Sequence, residues 1–221
     1  MVSNVRPTNP HKSNTLNNTH LLALHELYEN TTRTIPILQM EVWKEIQQNL
    51  LVLKNTAIVN DLPSKKISHL NYLLEQLLEQ FNPLQNISVA IAHGDFTPWN
   101  SYTSKDKVYV YDWELATELP LLYDAFHYIF QTGILVKKVP FTEIKKEVDR
   151  FRQEPSTQIL LAKFQLDFEQ AYRFYLLRNI SYYASRYIQQ VHLHQQAHWL
   201  VDIWVDALEA VRSKALSVSI K

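Results

Sequence analysis

Residues 93–100 read HGDFTPWN, and residues 108–114 read VYVYDWE. Together they place an aspartate at 95, an asparagine at 100 and a second aspartate at 112. Phosphoryl transfer to a hydroxyl needs a carboxylate to accept or orient the hydroxyl proton. It also needs oxygen ligands that hold magnesium on the phosphates. Asp95 has the chemistry for the first task. Asn100 and Asp112 are hard oxygen donors suited to magnesium, a cation that keeps several waters and takes few protein ligands. Glu114 reads either as a supplementary group beside the metal or as an ordinary surface acid. Only two glycines occur, Gly94 and Gly133, so the chain holds no glycine-rich phosphate loop.

The intervals dictate what must position these groups. Pro98 helps to fix the backbone between Asp95 and Asn100. SYTSKDKVYVYDW, residues 101–113, reads as two short strands about a polar turn, which delivers Asp112 beside Asn100. ISVAIAH, residues 87–93, is another β-branched run. Elsewhere apolar residues recur at three- and four-residue steps. Asn18 or Thr19 is placed to cap a helix through HLLALHELYEN, and further helices are predicted over 39–54, 67–81, 121–132, 141–152, 157–190 and 195–216. The predicted class is mainly α with a small β-hairpin island at 87–113, an α+β arrangement. Residues 1–17, rich in Asn, Ser, Thr and Pro, read as a flexible leader or linker remnant, and 18–221 as one helical lobe around the site.

Composition removes several function classes. Lysine plus arginine equals aspartate plus glutamate at 22 each, which gives no electrostatic case for nucleic acid or an anionic membrane as partner. The absence of cysteine excludes disulfides, thiolate catalysis and cysteine-ligated zinc. No apolar run is long enough to span a bilayer and the N-terminus has no signal-like core, so a cytoplasmic location is expected. His194 and His198, four apart in HLHQQAH, have metal-ligand spacing but no intervening glutamate, and read as a solvated helix end with His192. Trp99 and Trp113 flank the proposed site, with core packing as the expected role and substrate stacking as the alternative. Tyr182, Tyr183 and Tyr187 read as core or groove lining.

HGDFTPWN followed by VYVYDWE resembles the catalytic loop and metal segment of the aminoglycoside phosphotransferase and choline kinase-like group, which shares the protein-kinase fold. The shared pattern is H-x-D-x-x-x-x-N, here His93, Asp95 and Asn100, then a hydrophobic strand ending in Asp112. By that resemblance Asp95 is the catalytic base, Asn100 and Asp112 hold Mg2+, and His93 braces the loop. LPLLYDAFHYIF is similar to the group's proline-leucine-x-x-Asp stretch, which implies that Asp124 accepts hydrogen bonds from backbone amides of the loop. The implied activity is ATP- and Mg2+-dependent transfer, with ATP or another nucleoside triphosphate as co-substrate. The acceptor is a small-molecule hydroxyl of a sugar, aminoglycoside or amino alcohol. The group's N-terminal β-rich lobe has no counterpart before residue 93, where Lys44, Lys54, Lys65 and Lys66 fall on helices or turns. The expectation is therefore the C-terminal lobe of a kinase-like fold: a truncated gene product, a fragment, or half of an enzyme whose partner is a separately encoded N-terminal lobe. The alternative is a non-catalytic binding or scaffold module derived from the same fold.

Overall fold

A computed structural model of the protein describes residues 11–105, 107–193 and 196–218, with backbone alone at 214–218. In chain order the elements are α1 (Asn18–Thr31), β1 (Arg33–Pro36), α2 (Glu41–Asn55), α3 (Ser64–Leu78), β2 (Asn86–Ala92), β3 (Ser101–Ser104), β4 (Lys107–Val110), β5 (Thr117–Pro120), α4 (Tyr123–Gln131), α5 (Phe141–Gln153), α6 (Pro155–Lys163), α7 (Phe168–Tyr187) and α8 (Ala197–Val218). The fold is α+β, mainly helical with small antiparallel sheets, as the sequence predicts. The chain divides into two compact units. One comprises the residues up to Arg33 together with Ser88–Ala171; the other comprises Thr34–Ile87 and the residues from Tyr172 onward.

The first unit carries every residue of the candidate site. Asn17 caps α1, one residue before the expected Asn18 and two before Thr19. Its Oδ1 accepts the N–H groups of Thr19 and His20 at 3.1 and 3.3 Å, and His20 Nδ1 accepts the Asn17 N–H in return. Of the predicted leader, residues 1–10 lie outside the described residues. Further on, His11 exchanges two backbone hydrogen bonds with Thr103 of β3, at 2.8 and 2.9 Å, so that end of the leader is tied to the hairpin. β3 and β4 pair antiparallel from Ser101↔Val110 to Ser104↔Lys107, the predicted hairpin.

Three elements depart from the sequence reading, the first being β1, a strand at Arg33–Pro36 where none is expected. β5 lies beyond the predicted island and pairs antiparallel with β2, Val89 opposite Pro120 and Ala92 opposite Thr117. TELP has little strand propensity of its own, and its final proline fits a strand end; pairing with β2 makes it a strand. The single helix expected over 157–190 is two helices, α6 and α7. Between them Gln165 takes a left-handed φ of 51°, and Asp167 Oδ1 accepts the N–H groups of Glu169 and Gln170 at 2.9 and 3.1 Å. That aspartate starts a new helix, which the continuous apolar periodicity conceals.

The core of the first unit is aromatic. Phe126 meets Phe151 and Phe168 edge-on at 5.7 and 5.2 Å, and Phe96 packs on Tyr128 at 5.4 Å. Phe96 and Phe126 are both fully buried, each contributing about 1.5–3 kcal/mol by removal from water. In the second unit Trp43, Phe81 and Phe174 form a ring cluster, and α3 packs along α8 with Lys66 paired to Asp202 and His69 to Glu209. Tyr182, Tyr183 and Tyr187 are half-buried there. His194 lies outside the described residues, while His198 pairs with Asp61 at 3.1 Å. Among the described residues no helix is long and apolar enough to cross a membrane.

Candidate active site

The site begins where β2 ends. His93, Gly94 and Asp95 leave the strand, and Gly94 turns the chain with a φ of +84°. A Cβ at Gly94 would stand 2.4 Å from the Leu115 carbonyl oxygen, so both conformation and space require glycine. Thr97–Asn100 then form a turn closed by the Asn100 N–H on Thr97 O at 3.1 Å, with Pro98 at its second position. The Ser101 hydroxyl donates to the same carbonyl at 2.8 Å.

Asp124 braces this loop in the manner that the resemblance implies. Its Oδ2 accepts the His93 N–H at 2.7 Å and its Oδ1 accepts the Gly94 N–H at 3.1 Å. The carboxyl is 1% exposed and sits at the second residue of α4, where the helix dipole favours negative charge. Burial pushes its pKa up, and the two N–H donors oppose that rise. α4 is aimed by Leu122, a buried non-glycine residue at φ 72° whose N–H donates to the Tyr28 hydroxyl at 3.0 Å.

Asp95 and Asn100 are in direct contact. Asn100 Nδ2 donates to the Asp95 carboxylate at 2.8 Å and to the Asp95 carbonyl at 3.1 Å. With both amide hydrogens committed, the oxygen Oδ1 is the end of Asn100 left for a cation. Asp112 is located through its neighbour. The Tyr111 N–H donates to Asn100 O at 2.9 Å, and Tyr111 O accepts from His93 Nε2 at 2.6 Å. His93 Nδ1 in turn accepts the Asp95 N–H at 3.2 Å, which assigns the Nε2–H tautomer. Both backbone groups of Tyr111 are thus tied to the loop, and Asp112 follows at the next position. Its backbone is left-handed, φ 63° and ψ 61°, and it is exposed. Aspartate tolerates that region better than most residues.

Two expectations need correction. β4 ends at Val110, two residues short of the strand end expected at Asp112, and Trp113–Leu115 form a 3-10 turn; Glu114 is exposed, in keeping with its reading as a surface acid. Trp99 and Trp113 are not core residues, at 37% and 42% exposure. Trp113 lies 4.8 Å from the His93 ring and, with Leu24, Leu27, Phe96 and Val110, walls a mainly apolar cavity of about 330 Å³. The sequence reading also misses His127. Its Nε2 stands 3.0 Å from Asp95 Oδ1, and its ring is fully buried. The available signal is its position three residues after Asp124, on the same helix face.

The donor set fits magnesium: one amide oxygen on the loop and one exposed carboxylate two residues past the end of β4, both hard ligands, on segments joined by backbone hydrogen bonds. Among the described residues no three His, Cys, Asp or Glu side chains converge to hold a metal. A cation at Asn100 and Asp112 would draw its remaining ligands from phosphate and water. Comparison with family models, with curated proteins and with solved structures gave no significant match for this chain.

Proposed function

We propose that this protein is an ATP- and Mg2+-dependent phosphotransferase, or its catalytic lobe, acting on a hydroxyl of a sugar, aminoglycoside or amino alcohol. The observation that supports the reading is the double tie of Tyr111, the residue before Asp112, to the loop that carries the Asp95–Asn100 pair. Asp95 takes the acceptor proton, and Asn100 Oδ1 and Asp112 hold the cation. When bound, magnesium neutralises phosphate charge as the transferring group moves. His93, Gly94 and Asp124 keep the loop in one conformation, so little reorganisation accompanies the transfer. The resemblance to aminoglycoside phosphotransferases and choline kinases supplies the acceptor class. Magnesium and ATP enter as cofactor and co-substrate on the same ground, and a separately encoded β-rich lobe as the partner that covers the nucleotide.

The test is magnesium-dependent ATP turnover against a panel of sugars, aminoglycosides and amino alcohols, with Asp95→Ala and Asp112→Asn as controls. Transfer by the wild type that both substitutions abolish supports the reading. No transfer and no magnesium-dependent nucleotide binding, even with a β-rich lobe supplied, would refute it. A second reading, a non-catalytic module of the same fold, is favoured by the placement of Lys44, Lys54, Lys65 and Lys66 on α2 and α3 rather than on a strand. Acceptor phosphorylation that is lost in Asp95→Ala removes it.

A further inference from the structure

α4 presents two side chains to the loop one turn apart. Asp124 holds the backbone of His93 and Gly94, while His127 reaches the carboxylate of Asp95. The His127 ring is 0% exposed and lies nearly parallel to the Tyr123 ring, at 6.1 Å and 10°. Its Nε2 is 3.0 Å from Asp95 Oδ1, and Asn100 Nδ2 is 2.8 Å from Asp95 Oδ2. Each oxygen of Asp95 therefore has its own N–H donor, from different elements. The terminal torsion of an aspartate is otherwise broad. Two donors on the two oxygens fix the plane of the carboxylate, and the side chain remains 27% exposed, open to a reacting hydroxyl.

We propose that His127 is a positioning residue for phosphoryl transfer, holding the plane of the Asp95 carboxylate so that one of its lone pairs faces the acceptor hydroxyl. The inference rests on the phosphotransferase reading. In the step it serves, the hydroxyl oxygen bonds to the γ-phosphorus as the bond to the β,γ-bridging oxygen breaks. The hydroxyl proton passes to Asp95, the diphosphate leaves with the bridging electron pair, and His127 keeps its Nε2 proton throughout. A base held on one oxygen by Asn100 alone could still swing, and misplacement of about 1 Å costs roughly 100-fold in rate.

The test compares His127→Leu, which removes the donor, with His127→Gln, which returns an N–H within reach of Asp95. Urea unfolding confirms that each variant folds. His127→Leu is expected to lower kcat roughly 10- to 100-fold with KM for nucleotide and acceptor nearly unchanged, and His127→Gln to recover most of the loss. Unchanged kcat in His127→Leu overturns the proposal, as does a parallel rise in KM that glutamine does not rescue. Nitrogen-15 NMR of the His127 imidazole supplies a readout independent of activity. The Nε2–H proton should be protected from exchange in the wild type and exposed in Asp95→Ala; equal protection in both refutes the contact. Protection without phosphotransfer to any acceptor overturns the proposal by removing the reaction, and leaves His127 a brace for a carboxylate.

Discussion

Removing the Asp124 carboxylate is the perturbation whose effect is best defined by the geometry. In Asp124→Ala the His93 and Gly94 N–H groups lose acceptors at 2.7 and 3.1 Å, the first bond buried and the second half-buried. Hydrogen bonds to a charged partner are worth about 1.5–3 kcal/mol each, so the gross loss is roughly 3–6 kcal/mol. Relief from burying a carboxylate offsets part of it, which leaves a net loss of about 2–4 kcal/mol. For a chain of this size that is a fall of roughly 5–15 °C in Tm. Asp124→Asn keeps one acceptor but turns an amide donor toward the second N–H, so its loss is intermediate. Urea unfolding measures the totals, and amide exchange at His93 and Gly94 shows whether the loss is local. Wild-type stability together with protected His93 and Gly94 amides in Asp124→Ala would refute the brace.

Other perturbations test separate parts of the site. Gly94→Ala pushes a Cβ against the Leu115 carbonyl at 2.4 Å and strains a positive φ, costing about 1–3 kcal/mol by urea unfolding; a neutral result would contradict the packing. Asp112→Gly relieves a left-handed backbone at φ 63°, so thermal unfolding should show no loss of stability while magnesium-dependent turnover disappears. Burial holds the His20 imidazole down at about 4, below its ordinary 6.5. Between those values the unfolded chain binds the proton and the folded chain does not. Stability therefore falls as pH drops from 6.5 towards 4, by up to about 3 kcal/mol, and levels off below. His20→Gln, which preserves the capping-box chemistry, should flatten that part of the profile; an unchanged slope would contradict it.

Much of the loop was legible because its chemistry needs particular residue types at particular intervals. Asp95, Asn100, Asp112 and Asp124 stand out by type and spacing; hydrogen bonds join Asn100 to Asp95 and Asp124 to the backbone of the loop, and Asp112 follows Tyr111, whose backbone is tied to it. What escaped depends on long-range partners or on backbone conformation. β5 exists because β2 pairs with it, and its own four residues carry no strand pattern. The break between α6 and α7 turns on a left-handed glutamine and an aspartate cap inside an unbroken apolar rhythm. Asn17 rather than Asn18 caps α1 because a choice between adjacent asparagines is settled by backbone angles. Trp99 and Trp113 looked like core by size alone, and their exposure follows from the loop and turn that carry them. His127 resembled any apolar-flanked histidine until α4 was docked on the loop, 32 positions from Asp95 in sequence.

The central claim is that Asn100 and Asp112 jointly hold a divalent cation on phosphate beside Asp95. Manganese, a paramagnetic substitute for magnesium, tests it directly when titrated into the isotope-labelled chain in the presence of ATP. Selective broadening of the Asn100 side-chain amide and of the backbone around Asp112 is expected, abolished in Asp112→Asn. Broadening spread evenly over surface carboxylates, or identical in Asp112→Asn, would contradict it.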